Sequence, residues 1–290
     1  MQKHKSIILF FVFFTCLFVA NSQVNMTVEE GTNEKTKLER VKVIVEQKGA
    51  NVNVKDQENN TALLYAAGLG HFDIVKYLIN SGADLNAKNA QGLTVLSLCA
   101  YMGRREIAQF LIEKGADINA KNYNGFTPLM YAVMAEKIDL DLVKLLITNG
   151  ADINAGNNYK TNILMGAITT GDIKLVTMIL DNNVQIDAAD IQGNTALMVA
   201  LNEKKYEILE IILNKGANIN LQNNKGYSLL HIAAAADDEK TARTLLKLGI
   251  QKNLKDLKGD TALDVAKSKN LTKLASFLQS EGVTGKTGSF

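Results

Sequence analysis

Beyond position 22, His71, His231 and Cys99 are the histidines and the cysteine, the side chains best suited to shuttling a proton or attacking a carbon near neutral pH. Covalent catalysis needs such a group beside a base that activates it, and no paired nucleophile is visible. There is no Walker loop, no HExxH helix and no cysteine pair. Acid runs such as Asp237-Asp238-Glu239 fall at helix starts or turns, where they favour the helix dipole and stay solvated. The expectation is a protein that is not an enzyme, with no catalytic residue, no metal ligand set and no cofactor.

The elements that carry these residues repeat. Thr61/Leu63, Thr94/Leu96, Thr127/Leu129, Thr161/Ile163, Thr195/Leu197, Ser228/Leu230 and Thr261/Leu263 align at spacings of 33, 33, 34, 34, 33 and 33 residues. Five residues after each Thr or Ser stands a small side chain: Ala66, Cys99, Ala132, Gly166, Ala200, Ala233 and Ala266. Some 21 residues after it comes Gly82, Gly115, Gly150, Asn183, Gly216, Gly249 or Gly282. Each position has a mechanical reason. The hydroxyl caps the first free amides of a helix, and Pro128 suits a first helical position. The Leu fills the interface between units, and the small residue lets two helices approach. The late Gly or Asn ends a second helix in a left-handed conformation, and stretches such as Asn89-Ala90-Gln91-Gly92 then turn the chain into the next unit. Cys99, at a small-residue core position, reads as a buried, inert thiol.

Thr61-Ala-Leu-Leu-Tyr-Ala-Ala-Gly-Leu-Gly-His-Phe-Asp-Ile-Val75 and Thr127-Pro-Leu-Met-Tyr-Ala132 resemble the helix opening of ankyrin repeats. Gly82-Ala-Asp-Leu-Asn-Ala87, Gly115-Ala-Asp-Ile-Asn-Ala120, Gly150-Ala-Asp-Ile-Asn-Ala155 and Gly216-Ala-Asn-Ile-Asn220 resemble their repeat-ending signature. The resemblance implies an all-α solenoid, helix-turn-helix pairs joined by β-hairpin-like loops, over residues 36–282. That span reads as an N-terminal half-repeat (36–55) serving as a cap plus about seven repeats. The unit at Thr127 carries about two extra residues near Ile138-Asp139-Leu140, and the unit at Thr161 has Tyr159-Lys160 where others have the hairpin Gly. His71 and His231 occupy positions where such repeats use histidine for local hydrogen bonding.

Residues 1–22 are set apart. Lys3, His4 and Lys5 precede the apolar run Ile7 to Ala20, and Ala20-Asn21-Ser22 supplies small residues, the pattern of a cleaved secretory signal peptide ending before Gln23. About 14 apolar residues are fewer than the roughly 20 that span a bilayer. The expectation is a periplasmic or secreted chain with a linker at 23–35, a flexible tail at 283–290 and no stable membrane insertion after cleavage. Loss of Lys3 and Lys5 leaves 30 basic and 30 acidic residues, a balance that gives no electrostatic footprint for nucleic acid. With one cysteine left, stability must come from packing rather than disulfides. Asn25-Met-Thr, Asn59-Asn-Thr and Asn270-Leu-Thr match the glycosylation pattern but read as chance matches in an Asn-rich chain.

What remains is binding. In ankyrin-type repeats the hairpin tips and the exposed side of each first helix form the concave face. Leu93, Tyr101, Met102, Tyr123, Phe126, Met134 and Ile168 fall on those positions in the second to fourth units. They are the expected partner-binding residues, since a contiguous exposed apolar patch with aromatics marks an interface. The expected role is a protein-protein interaction scaffold for an unidentified protein partner; a homodimer through the same patch would satisfy the pattern equally. The alternative is a secreted host-directed effector or a regulatory or inhibitory subunit of an exported enzyme.

Overall fold

The repeated Thr-x-Leu pattern folds as helix openings. In the computed structural model, which describes residues 33–47 and 50–286, the Oγ1 atoms of Thr61, Thr94 and Thr127 accept the amides of Leu64, Ser97 and Met130 at 3.3 Å each. Leu63, Leu96 and Leu129, two residues on, are at most 1% exposed. Such burial is worth about 1.5–3 kcal/mol per side chain.

The chain divides into two units, residues 1–151 and 152–290. Unit one holds α1 (Glu34–Lys42), which continues as a π-helical stretch (Val43–Gln47), and three helix pairs: α2 (Ala62–Leu69) with α3 (Phe72–Asn80), α4 (Val95–Tyr101) with α5 (Arg105–Glu113), and α6 (Pro128–Val133) with α7 (Leu140–Thr148). First helices stack on first helices, α2 on α4 and α4 on α6; second helices stack likewise, and α1 packs on α3. The second helices are amphipathic. Ile74, Val75 and Leu78 of α3, Ile107, Ala108 and Leu111 of α5, and Leu142, Val143 and Leu146 of α7 face inward at i, i+1 and i+4. Gly82, Gly115 and Gly150 follow these helices at φ 87–93°, the left-handed C-terminal conformation that glycine adopts without Cβ strain. The extra residues before Leu140 lengthen the α6–α7 turn, and Asp139 caps α7 by accepting the amides of Asp141 and Leu142.

Unit two holds four pairs: α8 (Ile163–Thr170) with α9 (Ile173–Leu180), α10 (Ala196–Asn202) with α11 (Tyr206–Asn214), α12 (Leu229–Ala235) with α13 (Glu239–Lys247), and α14 (Ala262–Ser268) with α15 (Thr272–Ser280). Each unit is thus an all-α stack of helix-turn-helix pairs. Among the described residues there is no strand, only an isolated antiparallel bridge between Gly156 and Asn162.

The fourth opening corrects the sequence register. Asn162, not Thr161, caps α8; its Oδ1 accepts the Met165 amide at 3.0 Å. The interface Leu is therefore Leu164 (0% exposed), and the small residue is Ala167 rather than Gly166. Ile168 moves with them onto the inward face. Asn183 ends α9 region's turn at φ 56°, as its place in the repeat requires.

Two ladders of hydrogen bonds tie neighbouring repeats together. One sits after the second helices: Asn53 accepts the amide of Asp84 and Asn86 that of Asp117 in unit one. In unit two, Asn154, Asp187, Asn220 and Asn253 accept the amides of Gln185, Asn218, Gln251 and Thr284. The other ladder lies in the hairpins, described below. The tail expected from residue 283 is held over its first part: Val283 is 2% exposed, and the Lys286 amide donates to Asp264 at 3.0 Å. The expected signal peptide (1–22), nearly all of the linker and residues 287–290 lie outside the described residues.

Candidate partner-binding surface

Every hairpin is organised by one Asx side chain, a signal the Thr-x-Leu alignment did not include. In unit one, Oδ1 of Asp56, Asn89 and Asn122 each accepts two backbone amides, two and four residues on: Glu58 and Asn60, Gln91 and Leu93, Asn124 and Phe126, all at 2.8–3.0 Å. Asn157, Asp190, Asn223 and Asp256 do the same in unit two. A short polar side chain that bonds its own turn is what makes these loops rigid. Consecutive hairpins then join by backbone: the Ala90 amide donates to the Glu58 carbonyl at 2.8 Å, and the Tyr123 amide to that of Gln91 at 3.4 Å.

Upon this frame unit one presents an apolar face. Tyr123 projects from a hairpin tip and is 64% exposed. Its ring lies over the turn of the preceding hairpin, where Gly92 (φ 75°) leaves room; a Cβ there would come within 2.7 Å of the Tyr123 amide nitrogen. Met102 (42%) and Met134 (51%) stand at the ends of α4 and α6, and Leu69 (52%) at the end of α2. Between tips and helix ends lies a ring cluster. Tyr131 meets Tyr101 edge-on with centroids 6.2 Å apart and Phe126 at 6.0 Å. Asn122 Nδ2 donates to the Tyr131 hydroxyl at 2.7 Å. Burial pushes the Tyr131 phenol above its ordinary value, against the opposing Asn122 hydrogen bond.

The seven expected residues therefore divide. Tyr123, Met102 and Met134 are exposed as expected. Leu93, Tyr101 and Phe126 are half-buried, the two rings packing on Tyr131. Ile168 is 0% exposed and is not a surface residue; the one-residue shift of the α8 cap places it inward. Leu69 belongs to the same row and was not among the seven. In unit two, Tyr159, Ile191 and Leu257 are exposed hairpin-tip residues, the first two joined by the Ile191 amide donating to the Tyr159 carbonyl at 2.9 Å.

The histidines and the cysteine take structural places. His231, 1% exposed, lies 2.8 Å from Ser228 Oγ through Nδ1 and 3.0 Å from the Asp260 carbonyl through Nε2, closing a capping box on α12. His71 precedes α3 at its N-cap. Cys99 is fully buried, and burial pushes its thiol up to about 12. No cluster of three or more potential metal ligands occurs among the described residues, and none of their helices is long and apolar enough to cross a membrane. The arrangement of unit one offers apolar contact and fixed backbone groups to a ligand.

A family model described as ankyrin repeats (3 copies) matches residues 32–122, 129–223 and 197–286, and another, ankyrin repeats (many copies), matches residues 106–147. No curated protein matches the sequence.

Proposed function

We propose a function from one premise: the chain belongs to the ankyrin-repeat family, whose repeats serve as protein-protein interaction scaffolds. Unit one binds a protein partner through the face bearing Leu93, Tyr101, Met102, Tyr123, Phe126 and Met134, and the chain acts by binding rather than by catalysis. The observation that carries this reading is the exposure of Tyr123 at a hairpin tip and of Met102 and Met134 at the ends of the first helices of the same unit. Exposed apolar surface with an aromatic anchor supports an interface. The Asn122 side chain holds the hairpin that carries Tyr123 in one geometry, which lowers the entropic cost of binding.

The test separates the exposed residues from the packed ones. A Tyr123→Ala/Met102→Ser/Met134→Ser variant melts within about 2 °C of wild type, since exposed substitutions stay near 0.5 kcal/mol. It retains at most about a tenth of wild-type partner affinity, as loss of an aromatic anchor costs more than 1 kcal/mol. Proteins captured by the immobilised wild type and equally by this variant would place the interface elsewhere. Tyr101→Ala or Phe126→Ala, by contrast, loses ring packing on Tyr131 and costs about 1–3 kcal/mol of stability.

The same reading places the chain outside the cytoplasm, on the strength of the basic start, apolar run and small-residue site at residues 3–22. Amino-terminal sequencing of the exported protein is expected to begin at Gln23; a full-length chain in the cytosol would end this part of the proposal.

A further inference from the structure

The first helices of unit one have two flanks, and Leu98 identifies them. Its side chain packs so close to Gly68 of α2 that a Cβ on that glycine would lie 3.0 Å away. Leu98 thus marks the flank of α4 that faces the preceding repeat. On that flank Val95 and Cys99 are buried where α4 packs on α2. The corresponding flank of α2 carries Ala62, Tyr65, Ala66 and Leu69. Their spacing of i, i+3, i+4 and i+7 is the stripe by which one helix packs on another.

No described helix fills this stripe. α1 packs instead on α3, leaving Ala62 and Tyr65 half-buried and Leu69 52% exposed. The groove left between α1 and α2 has Val41 on its floor and Lys37 and Arg40 on its border. Neither cation takes part in the ion pairs of the described side chains. A helical stripe bordered by two cations calls for an apolar helix with acidic flanks.

We propose that this groove receives an amphipathic α-helix from a partner protein, lying where a preceding first helix would lie, with acidic side chains toward Lys37 and Arg40. Two other occupants fit less well. The outer repeat of a second copy would bring Lys267, Lys269 and Lys273, all exposed, toward the same cations. With residues 1–22 removed as proposed above, the chain's own residues 23–32 place Val24, Met26 and Val28 at every second position, which is not a helix-packing spacing.

The probes are two stapled, fluorescein-labelled helical peptides about 18 residues long. Both carry Leu at i, i+3, i+4 and i+7; one is flanked by Glu, the other by Lys. Anisotropy titrations of the full chain are expected to show the Glu peptide binding about tenfold or more tighter than the Lys peptide. A Lys37→Glu/Arg40→Glu chain reverses that order, and Leu69→Asp weakens both peptides. Tyr123→Ala changes neither, so this site stands or falls apart from the face around Tyr123. Circular dichroism confirms that each variant keeps its helices. Equal binding of the two peptides, or binding indifferent to Leu69→Asp, overturns the proposal. Binding only after removal of residues 1–32 assigns the groove to the chain's own segment and overturns it too. So does a dimer in sedimentation that Lys37→Glu/Arg40→Glu dissociates.

Discussion

Asn122 donates to the Tyr131 hydroxyl through Nδ2, and its Oδ1 accepts the amides of Asn124 and Phe126. One buried side chain therefore fixes both the hairpin that displays Tyr123 and the ring on which Tyr101 and Phe126 rest. Asn122→Ala removes all three bonds and is expected to cost about 2–3 kcal/mol in urea unfolding. It also weakens partner binding without being an exposed contact. Asn122→Asp keeps the two amide bonds and accepts from Tyr131, so it loses less than half as much. An alanine variant of wild-type stability would show that the hairpin does not depend on this hub.

Asp56 is the counterpart of Asn122 with the bond to the ring reversed: the Tyr65 hydroxyl donates to its Oδ2 at 2.6 Å. Burial pushes the carboxyl up, but the Tyr65 hydroxyl, the Asn60 amide and side chain and the Glu58 amide outweigh it. The carboxyl is held below the ordinary 3.8. The folded state therefore binds this proton less readily than the unfolded chain. The stability it contributes is complete above pH 3.8 and lost as the pH falls through the lower folded value. Asp56→Asn keeps the hub and is expected to flatten the decline of stability below pH 3.8; the same acid decline in both proteins would exclude Asp56 as a source.

Cys99 titrates in the opposite sense. With the thiol pushed up to about 12 from an ordinary 9.0, the folded chain holds the proton that the unfolded chain releases. This contribution is present below pH 9 and lost as the pH rises from 9 towards 12. The native protein is expected to resist iodoacetamide at pH 8.5 and to be alkylated at Cys99 in urea. Rapid native labelling would mean that α4 opens readily.

Lys160 stands at φ 56°, where Gly92, Gly125, Gly193, Gly226 and Gly259 occupy the matching turns at 75–81°. A side chain there is strained by roughly 1 kcal/mol. Lys160→Gly is expected to raise the stability of unit two by about 0.5–1 kcal/mol, after the glycine's own entropy is counted. Gly193→Ala should lower it by more, because the new Cβ would lie 2.6 Å from the Asn224 amide nitrogen. Thermal melts of the two variants shifting in the same direction would contradict this account.

The repeat was legible in the sequence because its signals are covalent in register: Thr61, Thr94 and Thr127 cap helices where expected, and the glycines after α3, α5 and α7 take positive φ. The exposed face was legible only in part. Ile168 was misplaced because Thr161 and Asn162 are both capable caps. Hairpin geometry chooses between them: Thr161 closes the Asn157 turn, its amide donating to Asn157 Oδ1 at 3.0 Å as Leu93 and Phe126 do in their hairpins, so the cap falls on the next residue. Tyr101 and Phe126 were placed on the right side of the right elements, but their half-burial depends on Tyr131, a residue a full turn from the hairpin. Asx residues at the start of each hairpin were visible all along as Asp56, Asn89, Asn122, Asn157, Asp190, Asn223 and Asp256. Their role emerges only when the amides they accept are seen.

Each rung of the ladder after the second helices reaches one neighbour and no farther, as Asn53 reaches Asp84 and Asn220 reaches Gln251. Donor and acceptor recur at a separation of 31 residues, as in Asn53–Asp84, Asn86–Asp117 and Asn154–Gln185, so gene duplication or deletion of one whole module within a unit leaves the flanking rungs able to rejoin. A gain inside a helix-helix turn, such as the extra residues before Leu140, leaves the Asn86–Asp117 rung before it and the Asn154–Gln185 rung after it in place, because donor and acceptor both lie in the segments that follow the second helices.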